Sequence, residues 1–227
     1  MLSAIAIVPS APVLVPDLAG AAAAETSELR TAVLAAAAVL PARWIAVGIA
    51  GTDATLGPEC AGTFAGFGVD VPVALAPGSR QPTDLPLCAL LAGWVRGRAR
   101  PDGSVQVRAY AADRDPAGAL ACGRRLRIEI DGESEPIGVL VVADGVNTLT
   151  PSAPGGYDPS GAPPQLVLDD ALAAGDIGAL ARLPDRVLGR VAFQVLAGLA
   201  EPGPRSAKEL YRGAPYGVGY FAGVWQP

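Results

Sequence analysis

IGVLVVADGVNTLTPSAPGGYDP, residues 137–159, falls into two halves of opposite character. Ile137 to Ala143 is the most apolar run of the chain and carries no charge, which reads as a strand buried on both faces. From Asp144 to Pro164 the composition turns to Gly, Pro, Ser and Thr without periodicity. Such a connection is longer than most in compact domains, and loops of that kind are often functional. A buried strand emptying into an irregular loop is the unit of α/β architecture, where ligands sit outside the carboxyl ends of the strands.

Outward from this segment the unit recurs. Leu2 to Val8 is an apolar run ended by Pro-Ser-Ala-Pro, and Trp44 to Ala50 is another, ended by Gly51-Thr52-Asp53, a turn composition. Leu29, Val33, Ala36 and Leu40 place a helix over Thr26 to Leu40, with Thr26 or Ser27 as its N-cap. Val69 to Leu75 reads as a third strand, followed by a helix from about Asp84 to Arg96 with Pro86 in its first turn. Val105 to Ala109 is a short strand, and Asp115-Pro116 opens a helix through Leu126. Helices are expected at about Pro164 to Ala174, Asp176 to Arg182 and Asp185 to Ala200, and a final strand over Ala214 to Trp225. The expected architecture is one α/β domain over residues 1–227, a central, mostly parallel sheet with helices on both faces. Three loops then share the ligand-binding edge: Pro9 to Pro16, Gly51 to Pro58 and Asp144 to Pro159.

Composition limits the chemistry. The 227 residues include no histidine, so no imidazole can serve as metal ligand or proton carrier. Net charge is −5, the only lysine is Lys208, and the arginines are scattered, which argues against nucleic acid as a partner. Cys60, Cys88 and Cys122 are odd in number and far apart, and read as buried thiols. The apolar start lacks a basic n-region, and the run from Val33 to Ala50 is broken by Pro41 and Arg43, so neither a signal peptide nor a membrane span is expected and the cytoplasm is the default. The alanine-rich composition matches the coding bias of a GC-rich genome. Gly155-Gly156 and Gly217 to Gly219 open no phosphate loop, since no Gly-Lys-Ser/Thr follows. Trp44, Trp94 and Trp225 read as packing, not as a stacking platform.

Leu149 to Pro159, Leu-Thr-Pro-Ser-Ala-Pro-Gly-Gly-Tyr-Asp-Pro, resembles the "Leu-Thr-Pro-x-Ala-Pro-x-Gly-Tyr-Asp-Pro" segment of LigB-like class III extradiol dioxygenases and their MEMO-like relatives. Ala6 to Pro16 resembles that family's opening "Pro-His-Pro-Pro-x-Leu-x-Pro", and Gly213 to Phe221 resembles its closing strand. The resemblance implies a LigB-like fold over the whole chain. It also implies an Fe(II) held by two histidines and a carboxylate, and a further histidine as acid or base. The first metal histidine falls at Ser10, the second near Gly51 and the acid/base histidine at Asn147, while Glu201 is only a positional guess for the carboxylate.

A hydroxyl, a missing side chain and a neutral amide have little affinity for Fe(II). The leading expectation is therefore a pseudoenzyme, a degenerate relative that binds a small molecule or a protein in a cleft formed by Ser10, Asp53, Asp144, Asn147, Thr148, Tyr157 and Asp158, without a cofactor. A second reading is a metal-dependent oxidoreductase or hydrolase in which three or more carboxylates, drawn from Asp17, Asp53, Asp144, Asp158 or the C-terminal region, converge on a hard cation. A third is a structural homo-oligomer with a vestigial cleft, since the resemblance implies self-association. Against the carboxylate reading, Asp beside Gly or Pro is ordinarily a turn or cap residue. Tyr157 and Asp158 then serve to shape their loop. Ser10 lacks the base that a nucleophilic serine needs.

Overall fold

The computed structural model describes residues 1–227. Strand β1 (Leu2–Val8) leads through the single-turn helix α1 (Pro16–Ala19) to α2 (Ser27–Ala38) and β2 (Arg43–Ala50). Short strands follow: β3 (Ala54–Leu56), β4 (Cys60–Thr63), β5 (Pro72–Ala74) and β6 (Gln81–Pro82). Then come α3 (Leu87–Ala99), β7 (Ser104–Ala111), α4 (Pro116–Asp131) and β8 (Ile137–Val142). The chain ends with α5 (Ala162–Ala174), α6 (Ile177–Ala181), α7 (Arg190–Leu199), β9 (Ser206–Gly213) and β10 (Tyr220–Gln226).

Seven strands form one mixed sheet in the order β3-β7-β2-β8-β1-β10-β9. Its centre, β7-β2-β8-β1, is parallel, while β3, β10 and β9 join antiparallel at the two sides. The central strands are apolar on both faces because both faces are covered. Ala4, Ala6 and Val8 of β1 and Leu140 and Val142 of β8 belong to the core under α2 and α3. Ile5, Ile7, Val139 and Val141 point into the opposite core, under α4, α5 and α7. No helix is long and apolar enough to cross a membrane.

Several expected elements are corrected. Only Pro72–Ala74 of the expected strand over Val69 to Leu75 is extended, and it pairs with β4 in a separate three-stranded sheet. The loop after Gly51 contains β3, which borders β7. Strand β9 is hidden in the sequence because SAKELYRG is polar, as suits a sheet edge that must not template aggregation. The helix expected from Asp185 begins only at Arg190, since Leu188 and Gly189 donate their N–H groups to Gly145 and Asp144 instead of entering a helix. Thr26 sits at the N-cap of α2 without capping it: its hydroxyl donates to Ala22 O at 3.2 Å. Asp115 does cap α4, accepting from Gly118 N at 2.8 Å, but the helix runs on to Asp131.

Candidate functional site

The parallel register brings the ends of β1 and β8 together. Ala143 N–H donates to Val8 O at 2.9 Å, and just beyond it Ser10 N–H donates to Asp144 Oδ1 at 2.7 Å. The backbone after β8 pairs with the approach to β10: Gly145 N–H donates to Gly219 O and Gly219 N–H to Val146 O, both at 2.8 Å. On the other side Gly189 N–H donates to Asp144 O at 2.8 Å. Asp144 is thus fixed by its own backbone, by the Ser10 loop and by the entry to α7. Its carboxyl faces no cation in an ion pair, and desolvation pushes it up to about 7 against the lowering pull of the Ser10 N–H. Tyr220, only 5% exposed, lies near it, and its hydroxyl takes no hydrogen bond within the protein. Burial first, and then the Asp144 carboxylate, hold the Tyr220 phenol protonated.

Gln165 holds this arrangement from below. Its buried Oε1 accepts Val146 N–H at 2.8 Å and its Nε2 donates to Asp169 Oδ1 at 2.9 Å. It lies against Gly145 and Gly219, where an added Cβ would overlap its amide and displace it from Val146 N–H. Burial pushes Asp169 up to about 6, partly offset by that amide hydrogen bond. Neither Gln165 nor Tyr220 was singled out from sequence. The available signals were a lone amide on the buried stripe with Leu168 and Leu172, and a tyrosine directly after Gly219.

The other expected residues separate into local roles. Asn147 packs its carboxamide against Gly155, whose N–H donates to Asn147 O at 3.0 Å. Thr148 O accepts Asp158 N–H at 3.0 Å, while its buried Oγ1 has no partner. Asp158 accepts from Ser160 N at 2.9 Å and Oγ at 2.6 Å, and from Arg186 at 3.1 Å, which makes it a turn residue. Tyr157 is 58% exposed. Asp53 accepts Ala111 N–H at 2.8 Å and pairs with Arg114; these two partners, in that order, hold its carboxyl below the usual range. Gly51 follows β2 with open space where a side chain would be. Asp17 is exposed in the first turn of α1. Glu201 lies beyond the far end of α7 in a two-pronged bridge to Arg124, at 2.8 and 2.7 Å, and not at the strand ends.

No three His, Cys, Asp or Glu side chains converge on a common point anywhere in the chain. Ser10, Asp144 and Asn147 offer one carboxyl, a hydroxyl and an amide, which do not fit the two-imidazole site that the resemblance implies for Fe(II). The principal cavities, of about 180 to 460 Å³, are lined by residues other than Ser10, Gly51, Asp144 and Asn147.

No protein-family model and no curated protein sequence matches this chain. Among solved structures it is similar to an uncharacterised protein of Escherichia coli K12, JW3007, with a TM-score of 0.61 at 13% identity, over 99% of this chain and 100% of that one. A likeness at that identity shows a shared fold and nothing about chemistry.

Proposed function

We propose that this chain is a LigB-like protein that has given up Fe(II) ring cleavage and works by binding a small molecule or a protein partner at the strand ends. The observation that carries the reading is the absence of histidine from a chain whose loop at Leu149 to Pro159 retains the family-like sequence. The three matched positions hold Ser10, Gly51 and Asn147. Ser10 contributes a backbone N–H to Asp144, Gly51 contributes no side chain, and Asn147 accepts Gly155 N–H through its backbone carbonyl while its carboxamide packs against Gly155. What remains at the strand ends is a set of hydrogen-bonding groups, the Asp144 carboxyl, the Tyr220 hydroxyl and the Ser10 hydroxyl, on a backbone pinned by Gln165. Such a set suits recognition: fixed donors and acceptors on a rigid floor orient a ligand without activating oxygen. Three buried free thiols, Cys60, Cys88 and Cys122, support a reducing compartment such as the cytoplasm.

The test is elemental analysis of protein purified without chelator, followed by calorimetric titration with Fe(II), Mn(II) and Mg(II) and oxygen-uptake assays with catechols. The proposal expects no stoichiometric metal and no oxygen uptake. Saturable one-to-one binding of Fe(II) together with catechol-dependent uptake would overturn it.

A further inference from the structure

At the strand ends a carboxyl and a phenol share one face of the sheet. Leu140 and Val142 of β8 point into the core under α2 and α3, so strand alternation carries Asp144 to that face, where Tyr220, Ala222 and Val224 also point. Gly145 N–H donates to Gly219 O at 2.8 Å, and Asp144 and Tyr220 are the residues that immediately flank this contact. The closeness is felt electrically: after burial, the Asp144 carboxylate is the largest influence on the Tyr220 phenol. Asp144 Oδ1 is occupied by the Ser10 N–H, whereas Oδ2 and the Tyr220 hydroxyl have no partner in the protein and both keep contact with solvent. The rest of Tyr220 is enclosed, at 5% exposure, so its oxygen is presented at the bottom of a recess. Charges around the pair are of one sign. The groups acting on Tyr220, Tyr216 and Tyr211 are Asp144, Glu25, Glu28 and the tyrosines themselves, and the Tyr216 hydroxyl donates to Glu25 Oε2 at 2.9 Å. Asp144, Glu25 and Glu28 enter no ion pair, although the chain has 17 Lys and Arg to offer.

We infer, resting on the binding role proposed above, that this recess receives the ammonium group of a small molecule, with Asp144 Oδ2 as its counter-ion and the Tyr220 oxygen as a second acceptor. An ammonium carries several N–H donors and no acceptor, the complement of a carboxylate oxygen beside a phenol oxygen. It also supplies the positive charge that the fold omits: a partly desolvated carboxylate without a cation is costly, and an incoming cation offsets that cost. Tyr216 and Tyr211 extend the preference, since aromatic faces attract cations. A carboxylate- or phosphate-bearing ligand would instead meet Asp144, Glu25 and Glu28 as like charges. Asp144 and Tyr220 line none of the principal cavities, which suits a recess that grips one charged group instead of enclosing a whole molecule.

The test follows the backbone amide resonances of Ser10, Gly145 and Gly219 in the full chain at pH 8, where the Asp144 carboxyl is largely ionised. Benzylamine is the probe, with benzyl alcohol and benzoate as its neutral and anionic counterparts. Benzylamine is expected to shift these resonances saturably, with a dissociation constant on the order of millimolar, and the two counterparts to bind at least about tenfold more weakly. Asp144→Asn, which keeps an oxygen for Ser10 N–H, is expected to weaken benzylamine by about tenfold, and Tyr220→Phe, which keeps the ring, to weaken it severalfold. No saturable shift with benzylamine, or unchanged affinity in Asp144→Asn, overturns the ammonium assignment. Equal or tighter binding of benzyl alcohol or benzoate at the same amides overturns it too, but leaves the binding role of the strand ends standing. That role fails separately, through iron binding and catechol-dependent oxygen uptake.

Discussion

Asp144 is a carboxyl held between two strand ends with a single backbone donor and no cation, so folding favours its protonated form. Both folded and unfolded chains bind this proton below the ordinary carboxyl range. As pH rises from about 4 to about 7 the unfolded chain ionises first, and the group withdraws stability across that window. Asp144→Asn, which retains an oxygen for Ser10 N–H, is expected to be more stable than wild type at pH 8 and to lose much of the pH dependence between 4 and 7. Urea melts at several pH values measure this, and a wild-type profile with no such fall would refute it. Gln165 is the converse case, a polar group whose value lies in what it satisfies. Gln165→Leu leaves the Val146 N–H without its acceptor in a buried place, and a loss of roughly 1–3 kcal/mol is expected in the same melts.

At the level of elements, α4 and α7 approach so closely that a methyl group at Gly123 would overlap Val195 O, and one at Gly198 would overlap Leu120 O. Gly123→Ala therefore separates the two helices or fails to fold, at a cost of about 3 kcal/mol or more. In α3, Gly97 has open space where its side chain would be, and Gly97→Ala is expected to gain about 0.5–1 kcal/mol from helix propensity alone. The contrast between two glycines in helices isolates packing from backbone entropy, and thermal melts of both variants read it. Capping gives a smaller effect at the start of α4: Asp115→Ala is expected to cost about 1 kcal/mol through the lost bond to Gly118 N–H.

Across the whole molecule, two hydrophobic cores share one sheet. Trp44 and Trp94 belong to one and Trp225 to the other. Because β1, β2 and β8 contribute side chains to both, neither core can be lost while the other keeps its floor. Unfolding is expected to be a single cooperative step, with the separate indole N–H resonances of Trp94 and Trp225 in the wild-type chain reporting the same denaturant midpoint. Separate midpoints would show two independently unfolding layers. The polar edge strand β9, with Arg212 tied to Glu209 and to Asp170 at 2.9 Å, closes the sheet on one side without offering an apolar edge.

The central parallel strands were legible in the sequence because burial on both faces demands uninterrupted apolar runs, as in Ile137 to Val142. The Asp115 cap was legible because its side chain acts within one turn. The strand-end position of Ser10, Gly51 and the loop after Ala143 followed from the same runs, and the absence of imidazole is a fact of composition that no folding alters. The rest required the folded chain. Strand β3 is held by β7, far along the chain, β4 and β6 are too short to show a period, and β9 is a polar partner of β10, so none carries a sufficient apolar pattern. Gln165 and Tyr220 join Asp144 only because the segment after β8 pairs with the approach to β10. Arg96 reads as an ordinary helix charge until the small sheet covers it. Local patterns report which residues must be buried, but which polar groups are left facing one another depends on contacts between segments far apart in the chain, and those are decided by tertiary packing.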